Sequence, residues 1–193
     1  MKSKNIFLIG GLLFLVTFLF PSQGKVEPLF PYVGGTQPKP GTHAPIITHA
    51  YAIDKGRYGT ILKIYIEADD PDGDMLRIAT VVDHLGYGYY PTDWIYLKPQ
   101  NRHHLIGYLQ WNTLSSKAAT IDEWTQVTLK VSIIDKSGNE SNVVVFPFTF
   151  ESGTGPEPKP PAPFDQGDIR MLGHIMIDLR GLDEGDGHER IFD

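Results

Sequence analysis

Two segments of this 193-residue chain alternate strictly between apolar and polar side chains. Leu62, Ile64, Ile66 and Ala68 interleave with Lys63, Tyr65 and Glu67, and Val127, Leu129, Val131 and Ile133 interleave with Thr128, Lys130 and Ser132. Only an extended strand sends successive side chains to opposite faces, so each segment reads as a strand with one buried and one wet face. Five further stretches rich in β-branched and aromatic residues occupy 46–53, 75–82, 94–97, 105–111 and 143–150. Turn chemistry separates them, as at Lys55-Gly56, Pro71-Asp72-Gly73 and Lys136-Ser137-Gly138-Asn139. Seven short strands with no convincing helix between them predict an all-β, antiparallel sandwich.

Proline marks where that body ends. Residues 25–43 carry Pro28, Pro31, Pro38 and Pro40, and residues 152–163 carry Pro156, Pro158, Pro160, Pro161 and Pro163. A residue that fixes φ and donates no N–H does not sustain a ladder, so the first stretch reads as an extended stalk and the second as a linker, around a body of residues 44–151. Ahead of the stalk, Lys2 and Lys4 precede an uncharged apolar run over 6–20 and a polar end, Pro21-Ser22-Gln23-Gly24. These are the zones of a secretory signal peptide over 1–24, with Ser22 and Gly24 as the small residues of a cleavage site. The alternative, an uncleaved anchor, asks for ~20 apolar residues. The expectation is an exported protein, secreted, periplasmic or at the cell surface, with no membrane span after processing.

The chain has no cysteine, which excludes disulfide scaffolds, thiolate metal centres, cysteine nucleophiles and a lipid-modified cysteine anchor. Its net charge is −6, becoming −8 once the two lysines of 1–24 are removed. Without a basic patch to neutralise phosphates, nucleic acid is not an expected partner.

The segment Glu67-Ala68-Asp69-Asp70-Pro71-Asp72-Gly73-Asp74 and the later Val131-Ser132-Ile133-Ile134-Asp135-Lys136-Ser137-Gly138-Asn139 resemble the turns of extracellular bacterial immunoglobulin-like modules of the cadherin-like and PKD-like types. The resemblance covers 44–151 and implies a seven-stranded immunoglobulin-like sandwich, a fold that hosts many roles.

In a Greek-key sandwich the turn after the second strand and the turn after the sixth lie at the same end. Asp70, Asp72, Asp74, Asp135 and the Asn139 amide would then offer the oxygen ligands that calcium prefers. The spacing is not that of an EF-hand loop, and the competing reading is a pair of tight turns whose aspartates cap backbone N–H groups and stay solvated. Tyr87, Tyr89 and Tyr90 fall in a glycine-containing loop at the opposite end, where flat rings can stack on carbohydrate or on a protein partner. Trp94, Trp111 and Trp124 read as core side chains.

The histidines are scattered and show no metal-ligand spacing, and the chain carries no nucleophile elbow, phosphate loop or dinucleotide fingerprint. A non-catalytic module is therefore expected, with a small hydrolase built on paired carboxylates as the remaining enzyme reading.

After the linker, Ile169, Met171, Ile175, Ile177 and Leu179 would share one face of a strand, whereas a helix would align Ile169, Leu172, Met176 and Leu179. Gly173 and the isoleucines favour strand. A lone apolar strand is unstable in water, so it must dock by β-augmentation, on its own domain or on a neighbouring copy in an oligomer. Residues 183–193 form an acidic end. Together these features predict a secreted or surface-exposed binding or assembly module, calcium-stabilised through its aspartate turns, with a carbohydrate-binding accessory module as the alternative.

Overall fold

The computed structural model describes residues 39–153, 155 and 157–181. The expected signal peptide, most of the stalk and the acidic end lie outside the described residues. Ten strands and one 3-10 turn (Pro99–Asn101) make up the described part. The strands are β1 (Ile46–Tyr51), β2 (Lys55–Gly56), β3 (Ile61–Asp69), β4 (Met75–His84), β5 (Gly88–Tyr89), β6 (Asp93–Tyr96), β7 (His104–Asn112), β8 (Gln126–Asp135), β9 (Val144–Phe150) and β10 (Met171–Ile175).

Each of the seven strands expected from sequence is present, as β1, β3, β4, β6, β7, β8 and β9. They divide as β1-β3-β7 in one sheet and β9-β8-β4-β6 in the other, so the first, second and fifth face the third, fourth, sixth and seventh. That division is the Greek-key arrangement of an immunoglobulin-like sandwich. The alternating residues meet between the sheets: Leu62, Ile64, Ile66 and Ala68 of β3 pack opposite Val127, Leu129, Val131 and Ile133 of β8, all buried. Burying each of the larger side chains contributes roughly 1.5–3 kcal/mol.

Antiparallel pairing holds among these seven but not throughout. The short β2 runs parallel to β9, and β10 runs parallel to β7, so both sheets are mixed. The tail strand thus closes a sheet edge of its own chain. To get there, the chain leaves β9 and passes over the outer face of the first sheet. Phe164, 4% exposed, lies 5.4 Å from the ring of Tyr65, which itself neighbours Tyr51 on β1 and Tyr108 on β7. The linker is held down by this aromatic row.

Two glycines make room for β10. A Cβ on Gly107 would stand 2.5 Å from the Leu172 side chain and 2.7 Å from the carbonyl oxygen of Arg170, and one on Gly173 would stand 2.5 Å from Ile95 on β6. Ile175 at the end of β10, and Ile177 and Leu179 beyond it, enter the common core. Met171, by contrast, is 46% exposed and Ile169 is only half-buried. The reason is a bulge between Met171 and Gly173, which shifts the alternation and turns Leu172, rather than Met171, toward Gly107.

The tryptophans also divide. Trp111 is fully buried and Trp94 half-buried with the Arg77 guanidinium 3.9 Å from its ring, whereas Trp124 is 66% exposed at φ 71° in the β7–β8 connection. Among the described residues no helix is long and apolar enough to cross a membrane.

Candidate functional site

The fold brings the two aspartate turns together at one end. Lys136 N donates to the Asp74 carbonyl at 3.1 Å, and Ser137 Oγ lies 3.4 Å from Asp74 Oδ2. The chain entering from the N-terminal side is there as well, since Asn139 Nδ2 donates to Thr42 Oγ1 at 2.9 Å.

The five residues put forward for calcium do different things within that end. Asp70, fully buried, accepts the N–H of Asp72 on one oxygen and that of Asp74 on the other, each at 3.0 Å. Asp135, 2% exposed, accepts the N–H of Asn139 at 2.8 Å and its side-chain amide at 2.6 Å. Both aspartates therefore shape their own turns. Asp72 points away to His43, accepting its N–H at 2.6 Å and contacting Nδ1 at 3.0 Å. These bonds hold the Asp72 carboxyl below its ordinary range and raise the imidazole of His43.

Asp74 is the exception. Its Oδ1 is buried with no hydrogen-bond partner, and burial, followed by the charges of Asp135 and Asp70, raises its carboxyl above the ordinary aspartate range. Among the described residues no group of three or more His, Cys, Asp or Glu side chains is arranged to hold a metal ion.

The tyrosine loop stands at the other end, following β4. Its three rings separate by role. Tyr90 is 7% exposed and stacks on Tyr87 at 5.0 Å, Tyr87 is 37% exposed, and Tyr89 is 65% exposed with the Lys130 ammonium 5.4 Å from its ring. Beneath them His84, buried, places Nδ1 3.0 Å from Tyr90 Oη, and its own Nε2 has no hydrogen-bond partner. Burial lowers the pKa of this imidazole, against the opposing pull of Asp83.

Sequence reasoning missed what the tail brings to this loop. Met176 N donates to Asp93 Oδ2 and Arg180 N donates to Tyr90 Oη, both at 2.9 Å, while Trp111 Nε1 donates to the Ile177 carbonyl at 2.9 Å. Residues 176–180 therefore lie along the tyrosine loop with Ile177 and Leu179 inward and Met176, Asp178 and Arg180 outward. The alternation of 175–180 was the available signal. Nor are the histidines all isolated: on the first sheet His49 contacts Glu67 at 2.8 Å and His104 contacts Asp69 at 2.8 Å.

The strand order, the two-sheet core and the paired end turns define an immunoglobulin-like β-sandwich module. No family model and no curated protein matches the chain. Among solved structures it is similar to the PKD domain of an M14-like peptidase from Thermoplasmatales archaeon SCGC AB-540-F20, at 19% identity and a TM-score of 0.37, over 57% of this chain and 99% of that one.

Proposed function

We propose that the chain is a non-catalytic immunoglobulin-like module, exported and displayed outside the cytoplasm, that works by binding or assembly and is completed by its own C-terminal strand. The observation that carries this reading is the burial of Ile175, Ile177 and Leu179 in the common core, locked by the Trp111 indole on the Ile177 carbonyl. A strand so placed covers one edge that would otherwise be open to aggregation, and it ties the linker to the body. Export is supported by the basic, apolar and small-residue zones of 1–24. The test is a chain ending at residue 167, compared with the full chain in a thermal melt and by size-exclusion chromatography. Loss of the cooperative melt or a shift to oligomers is expected, and an unchanged monomer with an unchanged melt overturns the reading.

Calcium enters the proposal as a stabiliser of the acidic end, because Asp74 holds a buried, unpartnered oxygen beside Asp70 and Asp135. Ca²⁺ takes six to eight oxygens and accepts main-chain carbonyls and water alongside carboxylates. A higher melting temperature in millimolar calcium than in EDTA supports it, since a ligand bound only to the native state raises stability. Equal melting temperatures remove calcium and leave the module.

A further inference from the structure

The tyrosine loop and the tail enclose a cleft of about 260 Å³, lined by Tyr87, Asp93, Lys117, Met176, Asp178 and Arg180 among others. We propose that this cleft binds a neutral saccharide, one ring at a time, with the tail as its second wall. The inference goes beyond the self-completed module and uses the same docked tail.

Four features of the cleft carry it. Its floor is aromatic: Tyr87 stacks on the buried Tyr90 at 5.0 Å with 22° between the rings and stays 37% exposed, with the Arg180 guanidinium 5.8 Å from its ring centroid at the edge of the cleft. The electron-rich face of such a ring suits the C–H side of a pyranose. Its walls are fixed in register, because two of the hydrogen bonds that hold the tail, to Asp93 and Tyr90, end on cleft residues themselves. A site held in this way loses little freedom when it binds.

Its charge is balanced. Asp93 and Asp178 only accept hydrogen bonds, whereas Lys117 and Arg180 only donate them, and two of each sign leave no net charge to select a phosphate or a polycation. Donors and acceptors interspersed around an apolar floor match hydroxyl groups, each of which does both. Its size completes the argument: the volume lies below the ~300–1,000 Å³ of sites for larger ligands, which fits a single ring of a chain that runs out through the open side. A protein partner would need a broader surface than this.

The experiment uses the purified full chain and isothermal titration with cellohexaose, chitohexaose, mannohexaose and maltohexaose, with a hyaluronan hexasaccharide as the acidic control. Binding to at least one neutral oligosaccharide in preference to the acidic one is expected. Asp178→Ala and Lys117→Ala, both on exposed side chains, should each weaken it about tenfold while the melting temperature stays unchanged. Absence of binding to every neutral oligosaccharide overturns the proposal, as do preference for the acidic one, indifference to both substitutions, or capture of a protein through these residues. Any of those results leaves the self-completed module standing, because that reading is measured by the melt of the truncated chain.

Discussion

The indole N–H of Trp111 donates to the main-chain carbonyl of Ile177 at 2.9 Å, joining the middle of the sandwich to a segment 66 residues further along the chain. Trp111 is fully buried, so this bond spends the one polar group of a core side chain on the tail. Replacing it tests how much of the tail's docking depends on that contact. Trp111→Phe leaves the carbonyl without its donor and opens a void, and together these should cost about 2–4 kcal/mol in urea unfolding. A cost below ~0.5 kcal/mol would mean that the tail is held by apolar packing alone.

Gly107 is the second control point for the tail. An added methyl would collide with Leu172 and, less forgivingly, with the backbone oxygen of Arg170. Gly107→Ala should therefore destabilise by about 1–3 kcal/mol, the range for overpacking, and release β10. Limited proteolysis reads this directly: cleavage within 152–170 should accelerate in the variant relative to the parent chain.

Acid should loosen the tyrosine end through His84. Burial lowers its pKa in the folded chain, so below the unfolded value of about 6.5 the unfolded state binds the proton more readily. Stability is then fully present above about pH 6.5 and declines as the pH falls from there toward the lowered value, by at most ~1.4 kcal/mol per pH unit for one proton. A hydroxyl at Tyr90 that donates to Nδ1 needs the neutral ring as well. Unfolding measured between pH 5 and pH 7.5 should show this slope, and His84→Gln should flatten it whatever its effect on the absolute stability.

Asp74 runs the other way. Its raised carboxyl pKa means that the folded state holds its proton better than the unfolded chain, so its contribution is present below about pH 3.8 and is lost as the pH rises through the raised value. At neutral pH the charged group is a liability beside Asp70 and Asp135. Asp74→Asn should raise the melting temperature in EDTA by about 2–4 °C, corresponding to ~1 kcal/mol, and should abolish any response to calcium. A lower melting temperature in the variant would show that the Asp74 carboxylate stabilises the turn.

Phe164 carries the crossing of the linker. Its ring is buried against Tyr65 on an otherwise half-exposed sheet face, and Phe164→Ala should cost about 3–5 kcal/mol, with faster nicking of residues 152–163. Nicking at the parental rate would show that the linker is held elsewhere.

Strict alternation was enough to determine two of the seven main strands, because period two depends only on which side of a strand each residue faces, and β-branched and aromatic enrichment between turn residues marked the other five. The bracketing of Leu62 to Ala68 and of Val127 to Ile133 by turn residues likewise made a two-sheet body legible, and with Greek-key topology it placed the two aspartate turns at one end. Other features needed the fold. Asp70 and Asp135 look alike in sequence to ligands for a cation, yet each meets the donors of its own turn, and which donors reach a carboxylate is a matter of backbone geometry. Trp111 and Trp124 are the same residue type, and only the path of the β7–β8 connection sends one inward and the other to solvent. The tail is the clearest division. Its composition required that a sheet edge receive it, but local pattern carries no information about which edge, in which direction, or across which bulge. Those were decided by the notch at Gly107, the close approach of Gly173 to Ile95 and the indole of Trp111, contacts between residues far apart in the chain that exist only once both sheets have packed.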